Sequence, residues 1–157
     1  MAYATTTDVL RVLGGTEKLL KERFGLVLWS GAVTSVEVDG STFDVPSLVL
    51  QRIERQIVAA ESRVDGYVLK QYKSKPTTVP PHLTDAVAKI AAYNAVTTDG
   101  SRPEYLREMF ASAESFLKDL AMGRVDLGLN EDPRPAHKMP APHYSSGRSP
   151  SARRTCR

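Results

Sequence analysis

Apolar positions recur at steps of three and four along Ser47–Tyr72: Leu50, Ile53, Ile57, Ala60, Val64, then Tyr67 or Val68, and Tyr72. That period keeps one helical face apolar and predicts a long amphipathic helix. Gln51, Arg52, Arg55, Gln56, Glu61, Arg63 and Lys70 fill the opposite face, and Ser47 after Pro46 is the expected cap. Gly66 interrupts the run at a cost of about 1 kcal/mol relative to Ala, which predicts close approach of another helix there. Lys73–Pro81 breaks the pattern, because Pro76, Pro80 and Pro81 remove amide donors and push the residues before them out of the helical region.

Two further helical patterns follow. One begins at Pro81 or His82 and runs through Leu83, Val87, Ile90, Ala91 and Asn94 to about Thr97, with alanines that permit tight helix packing. Thr98-Asp99-Gly100 ends it. The next runs from about Pro103 to Met122, capped by Ser101, with the stripe Leu106, Met109, Phe110, Ala113, Phe116, Leu117 and Leu120 and a stop at Gly123.

Ahead of the long helix, Thr7-Asp8 opens a short helical pattern ending at Gly14-Gly15. A second turn, capped by Thr16, carries Leu19, Leu20 and Phe24 up to Gly25; two short helices and one kinked helix fit equally. From Leu26 to Asp44 the residues turn β-branched and aromatic, and Asp39-Gly40 predicts a tight hairpin near Val33–Val38 and Ser41–Val45. An isolated hairpin is marginal in water, so this one must pack on the helices or on a neighbour. Past Gly123, Val125, Leu127 and Leu129 alternate, the pattern of a short extended arm able to add a strand to a neighbour's hairpin.

The expected fold class is therefore mainly α: a small helical bundle with one long central helix, a hairpin insertion at about residues 26–46 and an extended C-terminal arm. Residues 1–129 form the domain. Residues 130–157 form a basic Pro/Ser/Arg tail that holds five of the ten prolines and no aliphatic stripe. Such a composition cannot offset chain entropy by burial, so the tail is expected to order only on a partner.

The net charge of +3 is unevenly placed. The tail has six cations (Arg134, Lys138, Arg148, Arg153, Arg154, Arg157) against Glu131 and Asp132, which leaves the body near neutral. No apolar run is long enough for a membrane span, and the first residues lack the layout of a signal peptide. The single cysteine, Cys156, cannot form an internal disulfide, which fits maturation in a reducing cytosol.

The residues that usually carry chemistry are scattered. Gly14-Gly15 lacks the lysine of a phosphate loop, and one cysteine with His82, His137 and His143 makes no zinc pattern. Glu61 and Asp65 share a helix face, but Arg55 and Arg63 beside them favour a solvated charged face. No catalytic, cofactor-binding or metal-binding residues are expected, and the chain is not expected to be an enzyme. The basic tail leaves a second class open, a DNA-binding helical module gripping phosphates by counterion release. It lacks the interleaved aromatics of a stacking surface.

The order Ala59-Ala60-Glu61-Ser62-Arg63-Val64-Asp65-Gly66-Tyr67-Val68-Leu69, Tyr72, Val79-Pro80-Pro81, Leu83 and Ile90-Ala91-Ala92-Tyr93 resembles the head–tail connector (adaptor) proteins of tailed bacteriophages, Mu-like ones above all. Tyr3-Ala4-Thr5 with Thr7-Asp8, the run Ala111–Leu129 and Tyr144-Ser145-Ser146 are similar to the same family. The hairpin region departs from it, since a shorter loop is expected there.

The resemblance implies a virion structural protein at the head–tail junction, made in the host cytoplasm. It implies a ring, usually of twelve subunits, between the portal protein and the neck, stopper or tail-terminator proteins. DNA passes through the lumen without sequence-specific binding. The expected partner-binding residues are Val125, Leu127, Leu129, Tyr144, Arg148, Arg153 and Arg154.

Overall fold

The computed structural model describes residues 2–14, 17–28, 32–72, 75–96 and 103–128. Five helices and one hairpin follow in order: α1 (Thr6–Val12), α2 (Glu17–Leu28), β1 (Val33–Val38), β2 (Ser41–Pro46), α3 (Ser47–Gln71), α4 (Pro81–Ala95) and α5 (Glu104–Ala121). The class is mainly helical, as the periodicity predicts.

α4 is packed against the long central helix α3 and against α5 and α1. Its composition explains the position. Leu83, Ala86, Val87, Ala88, Ile90, Ala91, Ala92 and Ala95 are all buried. Small side chains on several sides let neighbouring helices approach from more than one direction. α3 contributes Val49, Ile53, Ile57, Ala60, Val64 and Val68 to that core, and α5 contributes Leu106, Ala113, Leu117 and Leu120. No polar or charged residue is buried among the described residues.

The ends of the helices have specific causes. Thr5 and Asp8 form a capping box at the start of α1: the Asp8 amide donates to Thr5 Oγ1 (3.3 Å) and the Thr5 amide donates to Asp8 Oδ2 (2.9 Å). At the end of α5, the Arg124 amide donates to the Asp119 carbonyl and the Gly123 amide to the Leu120 carbonyl, each at 2.9 Å. This is a Schellman motif, and Gly123 takes the positive φ (71°) it requires. α4 ends without a basic residue of its own in its last turn; Arg52 of α3 donates from Nε to the Ala95 carbonyl at 2.7 Å.

The hairpin forms where Asp39-Gly40 predicts it. Both turn residues have positive φ (50° and 79°), the condition for a type I′ turn. Its pairs include Val36 with Phe43 and Val38 with Ser41. Val38 and Val45 are buried, Val36 and Phe43 pack on the core, and the strands contact α1, α2 and α3. β2 runs directly into α3, with the Ser47 amide donating to the Ala32 carbonyl (2.8 Å) across the hairpin base.

Three local expectations are corrected, and one open choice, between two short helices and one kinked helix, is decided. α2 passes through Gly25 to Leu28, so Leu26–Leu28 are helical and the insertion is shorter than residues 26–46. α1 and α2 are two helices, separated after Leu13 by Gly14 at a φ of 95°. Ser47 is the first helical residue of α3 and does not cap it; Pro46 occupies the cap position without a side-chain bond. Pro103 likewise occupies the cap position of α5 that the sequence pattern assigns to Ser101.

Gly66 departs furthest from expectation. A Cβ built there would meet nothing within 4 Å, so no helix among the described residues approaches it. Gly66→Ala should therefore raise stability by about 0.5–1 kcal/mol, read as a higher denaturation midpoint of the isolated chain. A loss of stability would mean that the position is crowded in the folded chain.

Candidate partner-binding surface

The expected partner-binding residues fall on both sides of the described boundary. Val125 and Leu127 lie within it, while Leu129, Tyr144, Arg148, Arg153 and Arg154 lie outside the described residues. Val125 and Leu127 are half-buried, and Leu127 packs on the core. The segment 124–128 is irregular and folds back on the end of α3, with Gly128 at a positive φ of 65°. Within one chain, these residues are thus held by their own body and do not project as a free strand.

The holding group is Tyr72, the last apolar position of the long stripe. Its side chain is fully buried. Its hydroxyl donates to Asp126 Oδ1 (2.7 Å) and accepts the Leu127 amide (2.9 Å). Asp126 Oδ1 also accepts the Gly128 amide at 3.1 Å. A buried phenol needs partners for its hydroxyl, and here both come from the first residues of the arm. The departure point of the tail is thereby fixed at the C-terminal end of α3.

The Tyr72 hydroxyl holds the Asp126 carboxyl below its ordinary range, assisted by the Gly128 amide; burial is the largest cause pushing the Tyr72 hydroxyl up. A carboxyl depressed by folding contributes its stability in full above the unfolded value of about 4, and loses it as pH falls through the lower folded value. Acidification below about pH 4 should therefore release the arm, raising amide exchange at Leu127 and Gly128. Asp126→Asn keeps an acceptor but cannot titrate, so its exchange should show no such step. An identical step in Asp126→Asn would assign the release to another group.

A second tether works at the other terminus. Glu61 Oε1 accepts the Tyr3 amide at 2.6 Å, and Asp65 Oδ1 accepts the Tyr3 hydroxyl at 2.7 Å. Lys75 Nζ lies 2.5 Å from Asp65 Oδ2. The two carboxylates are thus not a solvated face; they fasten the start of the chain to α3. Tyr3 is buried, and burial, followed by its bond to Asp65, pushes its hydroxyl far up. Arg63 serves a different contact, pairing with Glu114 at 2.5 Å and lying 5.5 Å from the centre of the Phe110 ring. That ring stacks on Tyr93 at 4.4 Å.

Neither tether is legible from spacing, because each joins residues more than fifty positions apart. The one hint is generic: two tyrosines at the margins of apolar runs, each with a hydroxyl to satisfy.

His82 is exposed at the start of α4, its ring 6.2 Å from that of Phe116. An open groove of about 370 Å³ lies between α1 and α4, lined in part by Asp8, Arg11, Val12, Thr84 and Asp85. Asp8 and Asp85 are engaged there with Arg11 and Lys89. Among the described residues no group of three or more His, Cys, Asp or Glu side chains is arranged to hold a metal ion. No helix among them is long and apolar enough to cross a membrane.

Comparison with protein families matches residues 3–143 to the family described as Bacteriophage Mu, Gp36. The chain belongs to the bacteriophage Mu Gp36 family. The match takes in the Tyr3 tether, the helical body, the Tyr72 latch and the tail as far as residue 143. No curated protein matches the chain. A Mu-like phage protein is thus established, in line with the resemblance read from the sequence.

Proposed function

We propose that this Gp36-family chain is a structural virion protein, a head–tail connector subunit. Twelve copies form a ring between the portal protein and the neck or tail proteins, and DNA passes through its lumen. The observation that carries this reading is the extent of the family match, which takes in the body, the arm and the first half of the tail together. Family membership supports a virion-related role, and three physical features fit it.

The body is near neutral, which suits a channel that must not retain DNA. A heterologous contact repeated by rotation closes into a ring. The Tyr72 latch starts the polar tail from a fixed point, so a partner that orders it meets it at a defined place. In this reading Tyr144, Arg148, Arg153 and Arg154 engage the neighbouring layer, and the tail orders on docking.

Purified virions provide the test. Mass spectrometry should find the chain in particles, and imaging of the neck should place multiple copies around the axis beneath the portal. A chain that is absent from purified particles and monomeric in their presence would overturn the proposal. Tight duplex binding by the isolated chain, falling steeply with salt, would favour the DNA-binding alternative.

A further inference from the structure

One edge of the hairpin is open among the described residues. The Asp39-Gly40 turn makes Val38 and Ser41 a hydrogen-bonded pair, and such pairs alternate with non-bonded ones along an antiparallel ladder. Val36 with Phe43, and Thr34 with Val45, are therefore bonded across the hairpin. Val33, Ser35 and Glu37 fall between them and turn their amides and carbonyls away from β2. All three residues are exposed, and no hydrogen bond reaches those backbone groups among the described residues.

The other edge differs. Its outward positions are Thr42, Asp44 and Pro46, and Pro46 has no amide to offer. β2 also contacts α2 and α3 and runs directly into α3. Natural sheets close an exposed edge with a lysine, a proline, a bulge or a covering segment. Over Val33–Glu37, β1 has neither lysine nor proline, and its register with β2 is unbroken.

The side chains of Val33, Ser35 and Glu37 share the outer face of the hairpin with Thr42 and Asp44. Glu37 and Asp44 make that face negative, since neither strand has a lysine or an arginine. Asp44 accepts the Ser35 hydroxyl at 2.7 Å, which leaves its charge in place. At the turn, Arg11 of α1 is bound to Asp39 (2.8 Å) and to Asp8 (3.4 Å), so its charge is taken up there.

We propose that β1 receives, along Val33–Glu37, an extended segment of another protein that is free of proline and cationic at alternate positions. The outward amides and carbonyls give the main-chain bonds, and a lysine or arginine beside Glu37 gives the choice of partner. A second copy's hairpin set edge to edge would bring the Glu37 and Asp44 carboxylates of both copies onto one face, which repels it. The inference rests on the ring reading in one respect. That reading gives the chain's own basic tail to the neighbouring layer, so the added strand comes from another protein.

The test uses the full chain and a synthetic probe, a short peptide of alternating valine and arginine. Titration should protect the Val33, Ser35 and Glu37 amides from exchange. The same peptide with a central proline, or with glutamate in place of arginine, should bind about tenfold more weakly. Ser35→Pro removes one outward amide and leaves the inner ladder intact, so protection at Val33 and Glu37 should be lost. Unchanged exchange at Val36 and Val38 checks that the hairpin still forms. Ser35→Ala loses only the hydroxyl and should bind like the wild type. Glu37→Lys leaves the backbone alone and should weaken the arginine peptide about tenfold.

Equal binding of the proline-bearing peptide would show plain charge attraction and overturn strand addition. Protection of these amides in the full chain alone, lost in a chain ending at Gly128, would make the tail the occupant and overturn the assignment to another protein. A disulfide dimer of Ser35→Cys in a Cys156→Ser background would reveal two β1 edges paired, and would overturn it too. Necks that assemble and join their neighbours normally with Ser35→Pro overturn the inference while the ring stands. Wild-type necks without a ring overturn the ring reading, and the peptide titration then decides the edge by itself.

Discussion

Ile90→Ala is expected to destabilise the domain by about 3 kcal/mol, within the usual range for truncating a fully buried Ile. Ile90 is completely buried in α4, the helix packed against α3, α5 and α1 together. Removing its side chain loses transfer free energy and leaves a cavity bounded by several rigid elements. Small domains are stable by only about 5–15 kcal/mol, so this one change should consume much of the margin. Denaturant titration should show a midpoint lowered at unchanged slope, and the thermal midpoint should fall by roughly 10 °C. Ile90→Val, which removes one methyl group, should cost about 1 kcal/mol. Equal losses for Ala and Val would show that the surroundings collapse freely, contrary to a tightly packed centre.

The second large effect is on docking, and it depends on where the chain is cut. The tail after Gly128 lies beyond the last residue held by the Tyr72 latch. A chain ending at Gly128 should keep the thermal midpoint of the full protein but fail to join the neck or portal assembly. A chain ending at Gly123 also loses Asp126 and Leu127. The buried Tyr72 hydroxyl then loses both of its partners, and Leu127 no longer covers the core. That cut should cost a further 1–3 kcal/mol or so, the usual penalty for a buried polar group left unsatisfied. Calorimetry of the two truncations separates the effects, and particle assembly reports the shared one. Normal incorporation of the chain ending at Gly128 would show that the tail plays no part in docking. Equal midpoints for the two chains would show that the latch contributes nothing to the fold.

Elements with a strong local period could be read from the chain. α3, α4 and α5 follow their stripes to within a residue or two, and the hairpin follows from Asp39-Gly40 between β-branched runs. These features depend on neighbours three or four positions away, or directly across a turn, where sequence spacing and spatial spacing agree. Local cues alone misled at Gly25, which reads as a stop yet lies inside α2, and at Ser47 and Ser101, which read as caps where Pro46 and Pro103 stand. Packing of the surrounding elements can override a weak local preference worth about 1 kcal/mol or less.

The candidate surface divides in the same way. Val125 and Leu127 were legible as alternating apolar positions, but alternation does not say what covers them. The answer is Tyr72 and the core of the same chain. Glu61 and Asp65 share a helix face by spacing, yet only the fold brings Tyr3 to them. Gly66 announces a close approach in the sequence, and nothing among the described residues makes it.

The sequence by itself determined the helical class, the long central helix, the hairpin and the polar, basic character of the tail, because periodicity and composition act over short stretches of chain. Only the tertiary structure decided which termini are tied to α3, where the tail departs, and which faces of α3 and α5 remain open. Those are distances between residues far apart in the chain, and no local preference encodes them until packing has set the helices side by side.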